Sequence, residues 1–167
     1  MATTAQRAHA VAVMDYMHAH AAQLDYPPDD QRTWRDSQSW AMSEQTCEHV
    51  LNGGGRWQGD CSEYGSWVLK CAGLWHWNQP GWTGSHLELL TQHYTDPKLA
   101  LAGALVVFGP GDGHHEAIVH TPDPKHGNPV ISSHGHPGLD VIPLAVEAER
   151  QASMGYPGVR FLSISHL

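Results

Sequence analysis

Basic side chains are scarce. Lys and Arg number 9 against 17 Asp and Glu, a formal charge of −8 at pH 7. Binders of nucleic acid or anionic membrane need a basic face, so this balance argues against both partners. Long apolar runs are also missing: nothing approaches the roughly 18 consecutive apolar residues of a membrane span. The opening residues, MATTAQRAHAVAVMDYMHAH, lack the basic start and unbroken apolar stretch of a secretory leader, so synthesis in the cytoplasm is expected. Cysteine is limited to Cys47, Cys61 and Cys71, with no Cys-x-x-Cys spacing. One disulfide plus a free thiol stays open; three reduced thiols is the simpler expectation. No His-Glu-x-x-His zinc signature occurs, and no internal repeat or low-complexity segment is visible.

Other residue types are abundant. There are 14 His and 7 Trp, the latter all between Trp34 and Trp82. At 41% hydrophobic and 16% charged, the chain has the composition of a folded protein. Its 167 residues suit a single domain spanning 1–167. A chain of that size buries roughly 68–70% of its unfolded surface, enough for a core without staples.

Helical periodicity dominates the first half. Ala10, Val13, Met14, Met17, Ala21 and Leu24 recur at helical spacing over 5–24, and Pro27-Pro28 closes the segment. The stretch 29–36 reads as a polar loop. A second helix is expected over Ser37 to Leu51, stopped by Gly53-Gly54-Gly55, and a third from Asp60 to Gly73. A surface loop from Trp75 to Gly84 leads to a short helix with Ser85 as cap and Glu88 three positions later. After Pro97 the character changes to short β-type runs: 105–108, 117–119, 130–132 and 161–164, divided by Gly, Pro and Asp. Helices first and strands second predict an α+β fold, with N-terminal helices packed on a small antiparallel sheet.

Gly59-Asp60-Cys61-Ser62-Glu63 is the most informative stretch. Asp60 is a good N-cap, and Glu63 stands where its carboxylate can reach back to the cap. Cys61 then falls in the first helical turn, where free N–H groups and the positive dipole end favour thiolate over thiol. A buried structural cysteine is the alternative reading, and it suits Cys71 and Cys47 better. A nucleophilic Cys61 needs a base. Six histidines fall between His114 and His136. On a strand there, His115, Ala117 and Val119 share one face, and His114, Glu116, Ile118 and His120 the other. On the next strand Val130, Ser132 and His134 form a set. If the strands are neighbours, His115 and His134 can lie side by side as base and orienting partner. His126 and His136 read as solvated turn residues. Near an unperturbed pKa of roughly 6.5, a His115 base would lose activity in mild acid.

Taken in order, these residues resemble the NlpC-type papain-like cysteine peptidases that cut bacterial peptidoglycan. Asp60-Cys61-Ser62 opens a helix, His115-Glu116-Ala117-Ile118-Val119 stands for the first His strand, and Ser133-His134-Gly135 for the second. The chain is most similar to actinobacteriophage endolysin peptidase domains, whose Gly-Tyr-Thr-Gly-type loop is matched by Gly81-Trp82-Thr83-Gly84 and whose strand end is matched by Ser132-Ser133-His134-Gly135. The similarity runs from about 5 to about 145. It implies a papain-like fold with Cys61 as nucleophile, His115 as general base and acid, and His134 orienting His115. The Cys61 backbone N–H would help form an oxyanion hole, and Trp82, Trp57, Asp60 and Ser62 would line the substrate groove. Ala104 stands where the family often has Asp, and no cell-wall-binding module is evident. The resemblance also implies a monomer that needs no cofactor, is made in a host cytoplasm and acts on the peptidoglycan wall. Three other readings remain: a zinc hydrolase or N-acetylmuramoyl-L-alanine amidase using the clustered histidines 114, 115, 120, 134 and 136; a papain-like shell that only binds cell wall; and cysteine chemistry on a protein substrate.

Overall fold

A computed structural model describes residues 2–27, 38–75, 81–90, 93–135 and 138–163. Pro28, the expected loop at 29–36, Ser37, Trp77, His136 and Ile164 lie outside the described residues. The fold is α+β, as expected, with helices and a small antiparallel sheet.

Helix α1 (Thr4–Ala19) starts at a capping box in which Thr3 and Gln6 exchange side-chain and backbone hydrogen bonds. It buries Ala10, Val13, Met14 and Met17, the stripe read from the sequence. The helix stops earlier than the 5–24 expectation. A 3-10 turn at Ala21–Gln23 diverts the chain into strand β1 (Leu24–Asp25). The expected 37–51 helix is interrupted: α2 (Gln38–Ala41) ends, and Ser43 caps α3 (Glu44–Asn52) by accepting from Thr46 N. Strand β2 (Trp57–Gln58) pairs in parallel with β1, Leu24 opposite Trp57. Helix α4 (Cys61–Cys71) follows, capped by Asp60 as predicted. Helix α5 (Thr83–Leu89) corrects the expected cap. Trp82 is the N-cap residue, and Ser85 sits inside the helix, its hydroxyl accepting from Trp82 N and donating to Trp82 O.

The remaining strands are β3 (His93–Tyr94), β4 (Leu105–Phe108), β5 (His115–Thr121), β6 (Val130–His134), β7 (Leu139–Pro143) and β8 (Val159–Leu162), with helix α6 (Leu144–Ser153) between the last two. They form one sheet in the order β3-β8-β4-β5-β6-β7, each neighbouring pair antiparallel. The sheet divides two apolar cores. On one face Leu105, Val107, Ile118 and Leu162 pack beneath α1, α3 and α4, including the fully buried Tyr64 and Trp67. On the other, Val106, Phe108, Ala117, Val119, Ile131 and Phe161 pack with Leu144 of α6. Each fully buried large side chain of this kind is worth about 1.5–3 kcal/mol of transfer free energy.

Candidate active site

The strand alternation decides which histidine faces which layer. Ala117 and Val119 lie in the α6-side core and Ile118 in the α4-side core, so the faces of β5 are divided as the sequence predicts. His115 therefore belongs to the α6 face. Its ring stacks near Phe108 at 5.9 Å between centroids, and its Nε2 is 2.8 Å from Ser133 Oγ and 3.5 Å from Glu147 Oε1. The register sets Ala117 opposite Ser133 and Ile118 opposite Ser132, which places His134 across from Glu116 on the α4 face. The expected side-by-side pair of His115 and His134 is thus corrected: the two imidazoles occupy opposite faces of the sheet. One residue of register separates the alternatives, because side chains switch face at every position. His134 is fully buried among aromatic rings, 5.3 Å from Tyr26 and 5.7 Å from both Trp57 and Tyr64.

Cys61 is the first residue of α4, as predicted. Asp60 Oδ1 accepts from Glu63 N and Ser62 Oγ, each at 2.8 Å, so Asp60 and Ser62 build the helix start together. Gly59 N–H donates to Asp25 O at 3.2 Å, fastening the turn before α4 to β1 and bringing Tyr26 alongside. The thiol accepts hydrogen bonds from the Tyr26 hydroxyl and from the backbone N–H of Glu116, the residue directly after His115. Its predicted thiolate bias is overturned. Burial pushes the Cys61 thiol up to about 12, the Asp60 and Glu116 carboxylates push the same way, and the two hydrogen bonds only partly oppose them. At 6% exposure, the cost of removing an anion from water outweighs the helix dipole.

The three cysteines are free. Burial pushes Cys47 and Cys71 up to about 12 as well, so acidity does not single out Cys61. Cys47 is a core residue as expected, and Cys71 is half-buried.

Trp57 and Trp82 separate sharply. Trp57 is fully buried, its ring 6.1 Å from both Tyr64 and Trp67, so it is a core side chain and offers no surface to a ligand. The groove-wall expectation for Trp57 is corrected: β1–β2 pairing draws it inward. Trp82 is 44% exposed at the start of α5.

A polar chain missed by the sequence reading lies under α4. His86 of α5 bonds Ser66 Oγ through Nε2 at 3.0 Å and Glu116 Oε2 through Nδ1 at 2.6 Å, all three side chains fully buried. Ser66 donates its proton to Ser62 O and also accepts from Gly81 N, so Nε2 is the donor in its contact with Ser66. The Nδ1···Oε2 contact then holds a second proton, and the His86–Glu116 pair is neutral as a unit. Burial raises the Glu116 carboxyl above its ordinary range, while His86 pulls it back. Two glycines admit this pair. A Cβ on Gly65 would stand 2.8 Å from Glu116 Oε1, and one on Gly81 would stand 2.0 Å from His86 Nε2. Gly65 within α4 and Gly81 just before α5 were the available signal. The connectivity matches a serine triad, but Ser66 lies mid-helix and sealed, so the chain is structural.

On the α6 side, Glu147 is fully buried and accepts from Gln151 Nε2 at 2.7 Å, with Arg150 Nη2 at 2.5 Å from its other oxygen. Among the described residues, no three His, Cys, Asp or Glu side chains converge as a metal site. His120 pairs with Asp15, and His126 is an exposed turn residue bonded to Asp123. No helix among the described residues is long and apolar enough to cross a membrane. No family model matches the chain, and neither a curated protein nor a solved structure matches it.

Proposed function

We propose that this chain is a papain-like, NlpC-type cysteine hydrolase that cleaves an amide bond in the stem peptide or cross-bridge of bacterial peptidoglycan, as an endolysin does. One observation carries the reading: the Cys61 thiol, at the first turn of α4, is held by the Tyr26 hydroxyl and by the peptide N–H that directly follows His115. The order of residues supports it as well: a capped Asp-Cys-Ser helix start, then two histidine-bearing strands that pair side by side.

The raised thiol selects among routes. Cys61 rests as a neutral thiol, so attack is concerted with proton transfer: His115 takes the Sγ proton as sulfur bonds the carbonyl carbon and the carbonyl π pair moves onto oxygen. The oxyanion is met by free N–H groups at the start of α4 and by the Tyr26 hydroxyl; losing one such donor typically costs about 10²–10³ in turnover. Collapse of the intermediate expels the amine, to which His115 returns the proton, leaving a thioester on Cys61. Water then attacks the thioester with His115 again accepting the proton, and the carboxylate product leaves with the thiol restored. Trp82 is the groove wall available to a wall fragment.

A second reading has its own support. The 6% exposure and high pKa of Cys61 are what a non-catalytic binding module of the same fold would show. Mass spectrometry of fragments from a defined wall digest, run with and without EDTA, tests the proposal. Shortened stems bearing new amines in both conditions are expected. Binding without release favours the module, and release abolished by EDTA and restored by zinc favours the metal reading.

A further inference from the structure

We propose that Glu147 is the positioning residue of His115, fixing the imidazole as the Nε2–H tautomer so that Nδ1 is its basic nitrogen. The inference deepens the hydrolase reading and rests on it, since the nitrogen assigned here is the one that takes the Cys61 proton.

Contacts at Nε2 and at the ring face place the imidazole. Nε2 lies 2.8 Å from Ser133 Oγ and 3.5 Å from Glu147 Oε1, and the Phe108 ring stacks against the imidazole. A carboxylate accepts and does not donate, so the ring nitrogen turned towards it carries the proton, and Ser133 Oγ accepts from that same N–H. The other nitrogen, Nδ1, is then left with the lone pair. This is the service an orienting group renders a histidine base: it selects the tautomer and stabilises the imidazolium once formed.

Glu147 is itself held firmly. Gln151 Nε2 donates to Oε1 at 2.7 Å, Arg150 Nη2 stands 2.5 Å from Oε2, and Arg150 Nη1 reaches Asp140 Oδ2 at 3.7 Å. Its Oε2 is held by Arg150, and its Oε1, while accepting from Gln151, also stands 3.5 Å from His115 Nε2, so the buried carboxylate is fixed beside the imidazole. The role expected of His134 thus falls to a residue of α6, just past the stretch that carries the family resemblance.

The test begins with the unaltered protein. Nitrogen NMR above the His115 midpoint is expected to show Nε2 protonated and Nδ1 bare; a protonated Nδ1 overturns the proposal. Next, the His115 midpoint is compared between Cys61→Ala and Cys61→Ala/Glu147→Gln. The charges tied to Glu147, Arg150 and through it Asp140, are common to both proteins, as are Asp60 and Glu116, the carboxylates that act on the Cys61 thiol. Loss of the carboxylate should lower the midpoint by about 1 unit or more. In the active protein, Glu147→Gln should lower kcat about tenfold or more with KM unchanged, and Glu147→Asp should recover part of it. An unmoved midpoint with unchanged turnover removes the positioning role and leaves the hydrolase reading intact. A wild-type protein that cuts no cell wall removes both.

Discussion

Replacing His86 by Leu keeps most of its volume but strands the Glu116 carboxyl in the core, and the cost can be worked out. Glu116 is fully buried, and its ion-pair partner among the described residues is His86 Nδ1 at 2.6 Å. Without that partner the cheapest course is for the carboxyl to stay protonated. Holding a carboxyl with an unfolded pKa of about 4.3 neutral at pH 7 costs about 3.7 kcal/mol, and at pH 4.5 under about 1 kcal/mol. That agrees with the roughly 3–5 kcal/mol typical of breaking a buried pair. The sign follows from the raised carboxyl. A group whose folded pKa exceeds its unfolded value contributes stability at low pH and loses it as pH rises through the folded pKa. Removing His86 raises that folded pKa further, so the penalty is largest near neutrality and fades in acid. Urea melts followed by circular dichroism should show His86→Leu about 3–4 kcal/mol less stable at pH 7, or about 7–15 °C in Tm, with the gap closing towards pH 4.5. The double variant His86→Leu/Glu116→Gln should recover a large part of the loss at pH 7, because no carboxyl remains to be neutralised. A loss independent of pH and equal in single and double variants would refute the reasoning.

Three further outcomes follow from the same geometry. Gly65→Ala would normally gain about 1 kcal/mol of helix propensity, but its Cβ meets Glu116 Oε1 at 2.8 Å and Leu105 Cδ2 at 3.0 Å. It should therefore lower stability by about 1–3 kcal/mol in a urea titration. Iodoacetamide at pH 7 should modify none of the three cysteines rapidly, because burial holds each thiol near about 12; the rate should climb steadily into alkali, read by mass spectrometry of the labelled peptides. Trp82→Ala, at a 44% exposed position, should stay within about 0.5 kcal/mol of wild type in stability yet raise KM on cell walls with kcat unchanged, as steady-state kinetics would reveal.

Local signals were legible where a cap or an alternation stood alone. Asp60 announced α4, and the stripe Ala10, Val13, Met14, Met17 announced α1. The strand faces of β5 were also readable: Ile118 and Ala117 were expected on opposite faces, and they lie in the two separate cores. Registers between strands were not. Whether His115 faces Ser133 or His134 depends on one residue of offset, and nothing local fixes it. Strand β7 and helix α6 escaped notice because Leu139–Pro143 is short and ends in proline, and because no side chain caps the helix that follows. Glu147 was missed for the same reason. The thiol's acidity was misread because the helix start was visible in the sequence, while the burial that overrides it arises only when the chain packs.

The most direct measurement is amine release from purified bacterial cell walls by the wild-type protein and by Cys61→Ala, side by side at equal folded concentration. The account predicts steady release with the wild type and none above background with the variant. Equal release by the two proteins would contradict it.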